Sequence, residues 1–421
     1  MAGRVHIIGA GLAGLSAAVR LSQAGARVSI HETTQYAGGR CRSFHDDQVD
    51  AVIDNGTHLI LSGNTEVLAY LERVGARDNL VEGARAAFDF LDVQNDRRWS
   101  VDLGFGVGAL SLIKWLADKH RQPPGLKPFA FLRDIRTLKR GRDKTVAQCL
   151  DTKSELYRTF WHPLCLAVLN AEPQEAAAVL IWAVLKATVF KGGAYARPLF
   201  APNGLGPALV DPAMAYLRSQ DVSMYFQRRI SSLVVADGLC TSIRFHNAAE
   251  VLGDSDAVIM AVPHHAVAEL VDGVDAPDAS RAILNVHYRL SGNVDMPAIV
   301  GLVGGECQWL FRRGPIVSVT VSGANAWMDK DTDAIAHALW PEVARALRLD
   351  GDIPAYRVIK ERRATFAATP EALAHRPGTR TAAANLYLAG DWTDTGLPAT
   401  IEGAVKSGRM AAEAVLASAS L

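Results

Sequence analysis

Apolar and polar positions change rhythm several times along the chain, and each change marks an element. Residues 4–8 (Arg-Val-His-Ile-Ile) read as a buried strand that Gly9 breaks, and 12–24 then carry the Leu/Ala spacing of a helix ended by Gly25. A second apolar run at 27–31 completes a strand, turn, helix, strand unit. From about 65 to 200 the spacing turns helical, predicting helices over 66–74, 109–118, 145–150 and 175–190, with Pro173 suited to the first turn of the last. Alternation returns at 223–226, 230–235 and 241–246, with Asp237-Gly238 as a hairpin turn, and the wholly apolar 257–262 ends at Pro263. These strands are expected to extend the first sheet. A strand at 316–321, an amphipathic helix at 332–349, a strand at 386–389 and a helix at 400–416 complete the pattern.

Composition narrows the classes. A chain of 421 residues that is 49% hydrophobic and 21% charged has room for two or three domains and a sizeable core. Its 44 Lys+Arg balance 44 Asp+Glu, which argues against nucleic acid as a partner. Five widely spaced cysteines show neither disulfide nor metal-ligand spacing, so free thiols, no metal and a cytoplasmic setting are expected. The longest uncharged apolar stretch, 176–185, is too short to span a bilayer.

The first candidate chemistry lies in the first turn. Gly9-Ala10-Gly11-Leu12-Ala13-Gly14 is a G-x-G-x-x-G between strand and helix, and Glu32 ends the second strand. Gly9 makes the tight turn, Gly11 lets the backbone approach a pyrophosphate, and Gly14 lets helix and strand pack closely. Amides at the helix start, at Leu12 and Ala13, would hold the phosphates, and Glu32 would accept from the adenosine ribose hydroxyls. That much fits NAD or FAD. Gly38-Gly39-Arg40 and the distant Gly390-Asp391 and Thr400-Ile401-Glu402-Gly403-Ala404 favour FAD, whose length needs a second segment returning to cover the ribityl chain and flavin.

These motifs together resemble the flavin amine oxidase and phytoene desaturase superfamily. The resemblance implies an α/β fold in which a Rossmann-like FAD-binding domain (1–64, 203–280, 381–421) is interleaved with a mixed α+β substrate domain (65–202, mostly helical, and 281–380). It also implies that Gly390 and Asp391 meet the ribityl-pyrophosphate region, that amides near Thr400 and Ile401 face the flavin pyrimidine, and that Ile230 meets the adenine. Arg40 would position phosphate or flavin polar groups. Thr400 stands where amine oxidases commonly place an aromatic wall, which disfavours amine oxidation, and no Cys stands in the C-terminal loop, so noncovalent FAD is expected.

Asp54-Asn55-Gly56-Thr57-His58, the 160–170 segment Phe-Trp-His-Pro-Leu-Cys-Leu-Ala-Val-Leu-Asn, and the 390–403 loop resemble more narrowly the squalene-associated FAD-dependent desaturases of hopanoid biosynthesis, the hydroxysqualene dehydroxylases. Thr57 departs from that pattern, where Gln is expected. The resemblance implies reductive removal of a hydroxyl from a hydrophobic isoprenoid by hydride transfer to an allylic cation. Gly56 and Thr57 would lie against the cofactor, and His58 would activate the hydroxyl as an imidazolium. A carotenoid or phytoene-type desaturase is the alternative, and a non-catalytic FAD-binding subunit that hands isoprenoids between prenyltransferase-type enzymes a more remote one. Trp392 is expected to line a substrate tunnel. Between Lys119 and Lys144 nine Lys/Arg stand against two acids, with Phe129, Phe131, Leu132, Ile135 and Leu138 among them, so peripheral attachment at the inner membrane face is expected as well.

Overall fold

Five parallel strands form the sheet that carries the glycine turn, in the order Ser223–Tyr225, Arg27–His31, Arg4–Ile8, Ala257–Met260, Leu386–Leu388. The computed structural model describes residues 3–292 and 294–418. Helices Leu12–Gln23 and Ile401–Ser418 pack against this sheet and each other, and the strands, covered on both faces, read as nearly continuous apolar runs. Glycine permits that contact: a Cβ at Gly408 would strike the Ala13 carbonyl, and one at Gly14 the Gly9 carbonyl.

A second, seven-stranded mixed sheet runs Tyr356–Phe366, Ser280–Arg289, Ile316–Ser322, Trp309–Arg313, Ile299–Val303, Ala87–Asp92, Arg97–Asp102. All its pairings are antiparallel except Ile299–Val303 with Ala87–Asp92. The chain therefore passes between the two sheets repeatedly. Helix Thr332–Leu347, capped by the Asp331 side chain on the Asp333 and Ala334 amides, covers one face of this sheet with Ile335, Leu339 and Val343. The other core gathers Trp115, Phe131, Trp161, Cys165 and Leu180 from four helices, where Trp161 stacks on Phe131 and donates to the buried Asp134 carboxylate.

Several expectations change. Within the mostly helical 65–200 region lies a hairpin that the spacing did not predict, Ala87–Asp92 and Arg97–Asp102; its outer partner strand is about two hundred residues away in sequence. Strands Ile230–Ala236 and Leu239–Phe245 do not extend the parallel sheet. They join through Asp237-Gly238, both at positive φ, and form a separate antiparallel sheet with Ala249–Val251. The helix expected from 175 begins only at Ala178, leaving Pro173 in the preceding turn. Residues 128–140, read as a basic stretch, form a helix whose Phe131, Ile135 and Leu138 are core. Trp392 is core too, its Nε1 donating to the Val262 carbonyl at 2.8 Å, while Trp182 lines a cavity. Among the described residues no helix is long and apolar enough to cross a membrane.

Candidate functional site

Gly9 leaves the first strand at φ +109°, a conformation that L side chains resist, and a Cβ there would collide with the Ala261 carbonyl. The chain turns and enters helix Leu12–Gln23 at Gly11, which caps it with no side chain, so the Leu12 and Ala13 amides are among the unpaired first-turn donors. Space lies open beside them: a Cβ built on Gly11 would meet nothing within 4 Å. Gly38 bridges to Gly11 and donates to the Ala10 carbonyl at 2.8 Å, which brings Gly38-Gly39 to the rim of the same opening. Glu32 accepts from the Ala10 amide at 2.8 Å on one oxygen and from the Thr34 amide and hydroxyl at 2.8 and 3.0 Å on the other. The oxygen that takes the Ala10 amide keeps a further lone-pair site for a ribose hydroxyl. Ile230, buried, follows the segment in which the Arg228 amide donates to the Glu32 carbonyl at 2.8 Å. A dinucleotide therefore fits: open space at a helix N-terminus for its phosphates, a fixed carboxylate for its ribose and an apolar side chain beyond.

The distant C-terminal segment meets this cradle. Arg40 donates to Asp391 at 2.9 Å and to the Ala364 carbonyl, and the Asp391 carboxylate holds the guanidinium above its ordinary pKa. Gly390 admits the Trp392 ring where a Cβ would stand, and its amide donates to Ser407 at 2.8 Å. Thr400 caps helix Ile401–Ser418 by accepting from the Gly403 amide at 3.1 Å, leaving the Ile401 and Glu402 amides at the helix start. Glu402 instead reaches away, accepting from the Glu66 and Val67 amides at 3.0 Å each and so capping helix Thr65–Arg73 from another part of the chain.

The Asp54–His58 motif divides into anchor and wall. Asp54 is buried, accepting from the Leu205 amide at 2.9 Å and pairing with Arg313, and Asn55 donates to Glu361 at 3.2 Å. The Thr57 amide donates to Asn285 Oδ1 at 3.4 Å, while Gly56 leaves room for His58, whose Nε2 lies 3.6 Å from where a Cβ would stand. The His58 side chain is solvent-exposed yet densely surrounded by protein. Burial foremost, then the Arg40 charge, push its pKa down to about 4, partly opposed by Asp54 and Asp391. That direction favours the neutral imidazole over the expected imidazolium. His264 is likewise held near 4 by burial and is bonded to Ser280 at 2.9 Å.

Two contributors carried no sequence signal. Arg376, buried, donates to the carbonyls of Asp391 at 3.2 Å and Trp392 at 3.1 Å, to that of Thr393, and to the Thr395 hydroxyl at 3.4 Å, so one guanidinium fixes the loop after Gly390. Asn285 carries the Thr57 contact from the second sheet and takes the Thr320 hydroxyl at 2.9 Å. Near the loop a cavity of about 510 Å³ is lined by Trp182, Lys186, Lys191, Arg376, Thr395 and Leu397 among others.

The flavin containing amine oxidoreductase model matches residues 12–297 and 300–416. The chain belongs to that family. It is a flavin-dependent oxidoreductase, and its full-length relatives narrow the family further. It is 42% identical over 412 residues to the hydroxysqualene dehydroxylase of Sinorhizobium fredii, covering 98% of each chain, and 41% identical over 418 residues to that of Rhodopseudomonas palustris, covering 99% of each. Within the family it therefore groups with the hydroxysqualene dehydroxylases. Cyclohexylamine oxidase from Brevibacterium oxydans shares the fold, with a TM-score of 0.71 at 14% identity over 98% of both chains.

Proposed function

We propose that the chain converts hydroxysqualene to squalene in hopanoid or triterpene biosynthesis, using noncovalently held FAD. The observation that carries this reading is the 42% identity to a hydroxysqualene dehydroxylase over 98% of both chains, a span that includes the loops of the site as well as the fold. In the net change the C–O bond breaks, the carbon gains a hydride equivalent, and the hydroxyl leaves as water with one proton from the protein or solvent. Reduced flavin supplies the hydride equivalent.

The chain's residues supply the setting. Leu12 and Ala13 amides, with Gly11, Gly38 and Gly39 leaving room, receive the pyrophosphate; Glu32 and Ile230 receive the adenosine; Arg40 and Asp391 face the ribityl side. The Thr400–Ile401 helix start would offer its first-turn amides and the positive end of a helix dipole to the pyrimidine, favouring negative charge there. His58, neutral, donates a hydrogen bond to the departing hydroxyl from whichever ring nitrogen carries its hydrogen.

Anaerobic incubation of the chemically reduced protein with hydroxysqualene is expected to give squalene, and acid is expected to release intact FAD. His58→Ala should slow turnover by about 10²–10⁴-fold, with His58→Gln, which keeps an N–H donor, partly rescuing it. A more unsaturated polyene as product would assign desaturation instead, and an unimpaired His58→Ala would remove the role of that side chain.

A further inference from the structure

Helix Gly108–Ala117 is apolar on both sides. It buries Trp115 and Ser111, with Leu112 and Leu116 packed against the core, while Leu110 is 71% and Ile113 60% exposed, where a soluble helix ordinarily carries polar residues. The loop before it exposes Phe105 and Val107. The neighbouring helix Pro128–Arg140 places Phe129, 90% exposed, and Leu132 outward. Six of the thirteen large apolar side chains exposed among the described residues thus fall between 105 and 132, the largest such group, followed by three on the small antiparallel sheet, Val235, Leu239 and Val251. The two helices share one core through the edge-on Trp115–Phe131 contact at 5.5 Å, so their outward residues lie on adjoining elements.

Charge surrounds this face. Continuing from Phe129 and Leu132, the outer side of the second helix carries Arg133, Arg136, Lys139 and Arg140, and the first carries Lys114 between its apolar positions. The Arg85 guanidinium stands over the Phe105 ring at 5.3 Å. A chain of zero net charge has gathered cations where its apolar side chains protrude.

One layer of residues connects the face to the cavity, which no residue of the face itself lines. Gly106 accepts from the Ala194 amide at 3.1 Å, just after Lys191 on the cavity wall, and Lys139 stands over the Trp182 ring, also on that wall, at 5.6 Å. The same cavity reaches Thr395 and Leu397 in the loop that follows Asp391.

We propose that this face is an interfacial docking surface for an anionic bilayer, seating the cavity mouth on the membrane so that a water-insoluble substrate enters without crossing water; the last clause rests on the function proposed above. Apolar tips of this kind enter the acyl boundary while a basic fringe meets anionic headgroups, a combination that binds bilayers reversibly. A protein partner would also bury apolar side chains, but the clustered lysines and arginines match a negatively charged surface.

The test uses the flavin-loaded protein and vesicles of equal phosphatidylglycerol and phosphatidylcholine, with phosphatidylcholine alone as the second arm. Wild type is expected to sediment with the anionic vesicles and to be weakened by salt. Leu110→Glu/Ile113→Glu/Phe129→Glu should lower partitioning at least about tenfold, and Arg133→Gln/Arg136→Gln/Arg140→Gln should abolish the preference for anionic lipid. Both variants should turn over hydroxysqualene normally in detergent and slowly when it is presented in vesicles. Wild type that ignores vesicles, an apolar variant that binds them unchanged, or a dimer that the apolar variant converts to monomer would each overturn the docking surface. Vesicle binding without turnover in detergent would leave it standing and remove the substrate reading instead.

Discussion

The loop from Gly390 to Leu397 lines the cavity and the face from Phe105 to Leu132 lies a layer away from it, and the two are built in opposite ways. In the loop the polar groups are engaged: Arg376 takes three carbonyls and a hydroxyl, Asp391 takes Arg40, and Trp392 is sealed against Val262. On the face the largest apolar groups touch little of the protein, and what order there is comes from the inner side, through Trp115 and Phe131. One region is finished within the chain. The other is complete only against something outside it, and a substitution should therefore cost folding stability in the first and vesicle binding in the second.

The largest expected effect falls on the loop. Arg376→Met should destabilise the protein by about 3–4 kcal/mol and empty it of flavin, because buried carbonyls lose a charged donor together; urea unfolding and the visible flavin spectrum report both. Glu32→Ala comes next, weakening FAD by about 1.5–3 kcal/mol through loss of charge-assisted hydrogen bonds, measured by titrating apoprotein with FAD. Unchanged affinity would mean the ribose lies elsewhere.

Acid sharpens the contrast further. Burial holds His31 near 3 and His287 near 4, below the ordinary 6.5 of the unfolded chain. Above pH 6.5 neither state binds the proton and these groups add no pH dependence. As pH falls below 6.5 the unfolded chain takes protons that the folded chain refuses, so stability drops by up to about 1.4 kcal/mol per pH unit for each until the folded values are reached. Urea midpoints between pH 7 and 5 should show this, with a shallower slope in His287→Gln. The smallest effect belongs to the outer face: the Leu110, Ile113 and Phe129 triple Glu variant should shift stability in solution by no more than about 0.5 kcal/mol per site. A larger loss would mean those side chains are packed in the free protein.

The same contrast explains what could be read from residues alone. The cradle is made of backbone, and backbone geometry leaves glycines at fixed spacing, so Gly9–Gly14 and Gly38-Gly39 were legible, as was Glu32 at the strand end. Arg376 was not, because a guanidinium serving carbonyls fifteen or more residues later leaves no local pattern. The 87–102 hairpin was missed because the strand that completes its pairing, Ile299–Val303, is remote in sequence. His58 was named from its motif, whereas the surrounding protein and the Arg40 charge that lower its pKa exist only in the folded chain. For the outer face the basic run was visible, while its Phe131, Ile135 and Leu138 turned inward and the exposed aliphatics lay on the preceding helix.

The most direct test of the central claim is a single anaerobic turnover in which the reduced protein, free of excess reductant, is mixed with hydroxysqualene while the visible flavin band and the products are followed together. The account predicts that the oxidised flavin band returns with one squalene formed per flavin. A reduced flavin that stays reduced in the presence of hydroxysqualene, or an oxidised flavin that the same substrate bleaches, would contradict it.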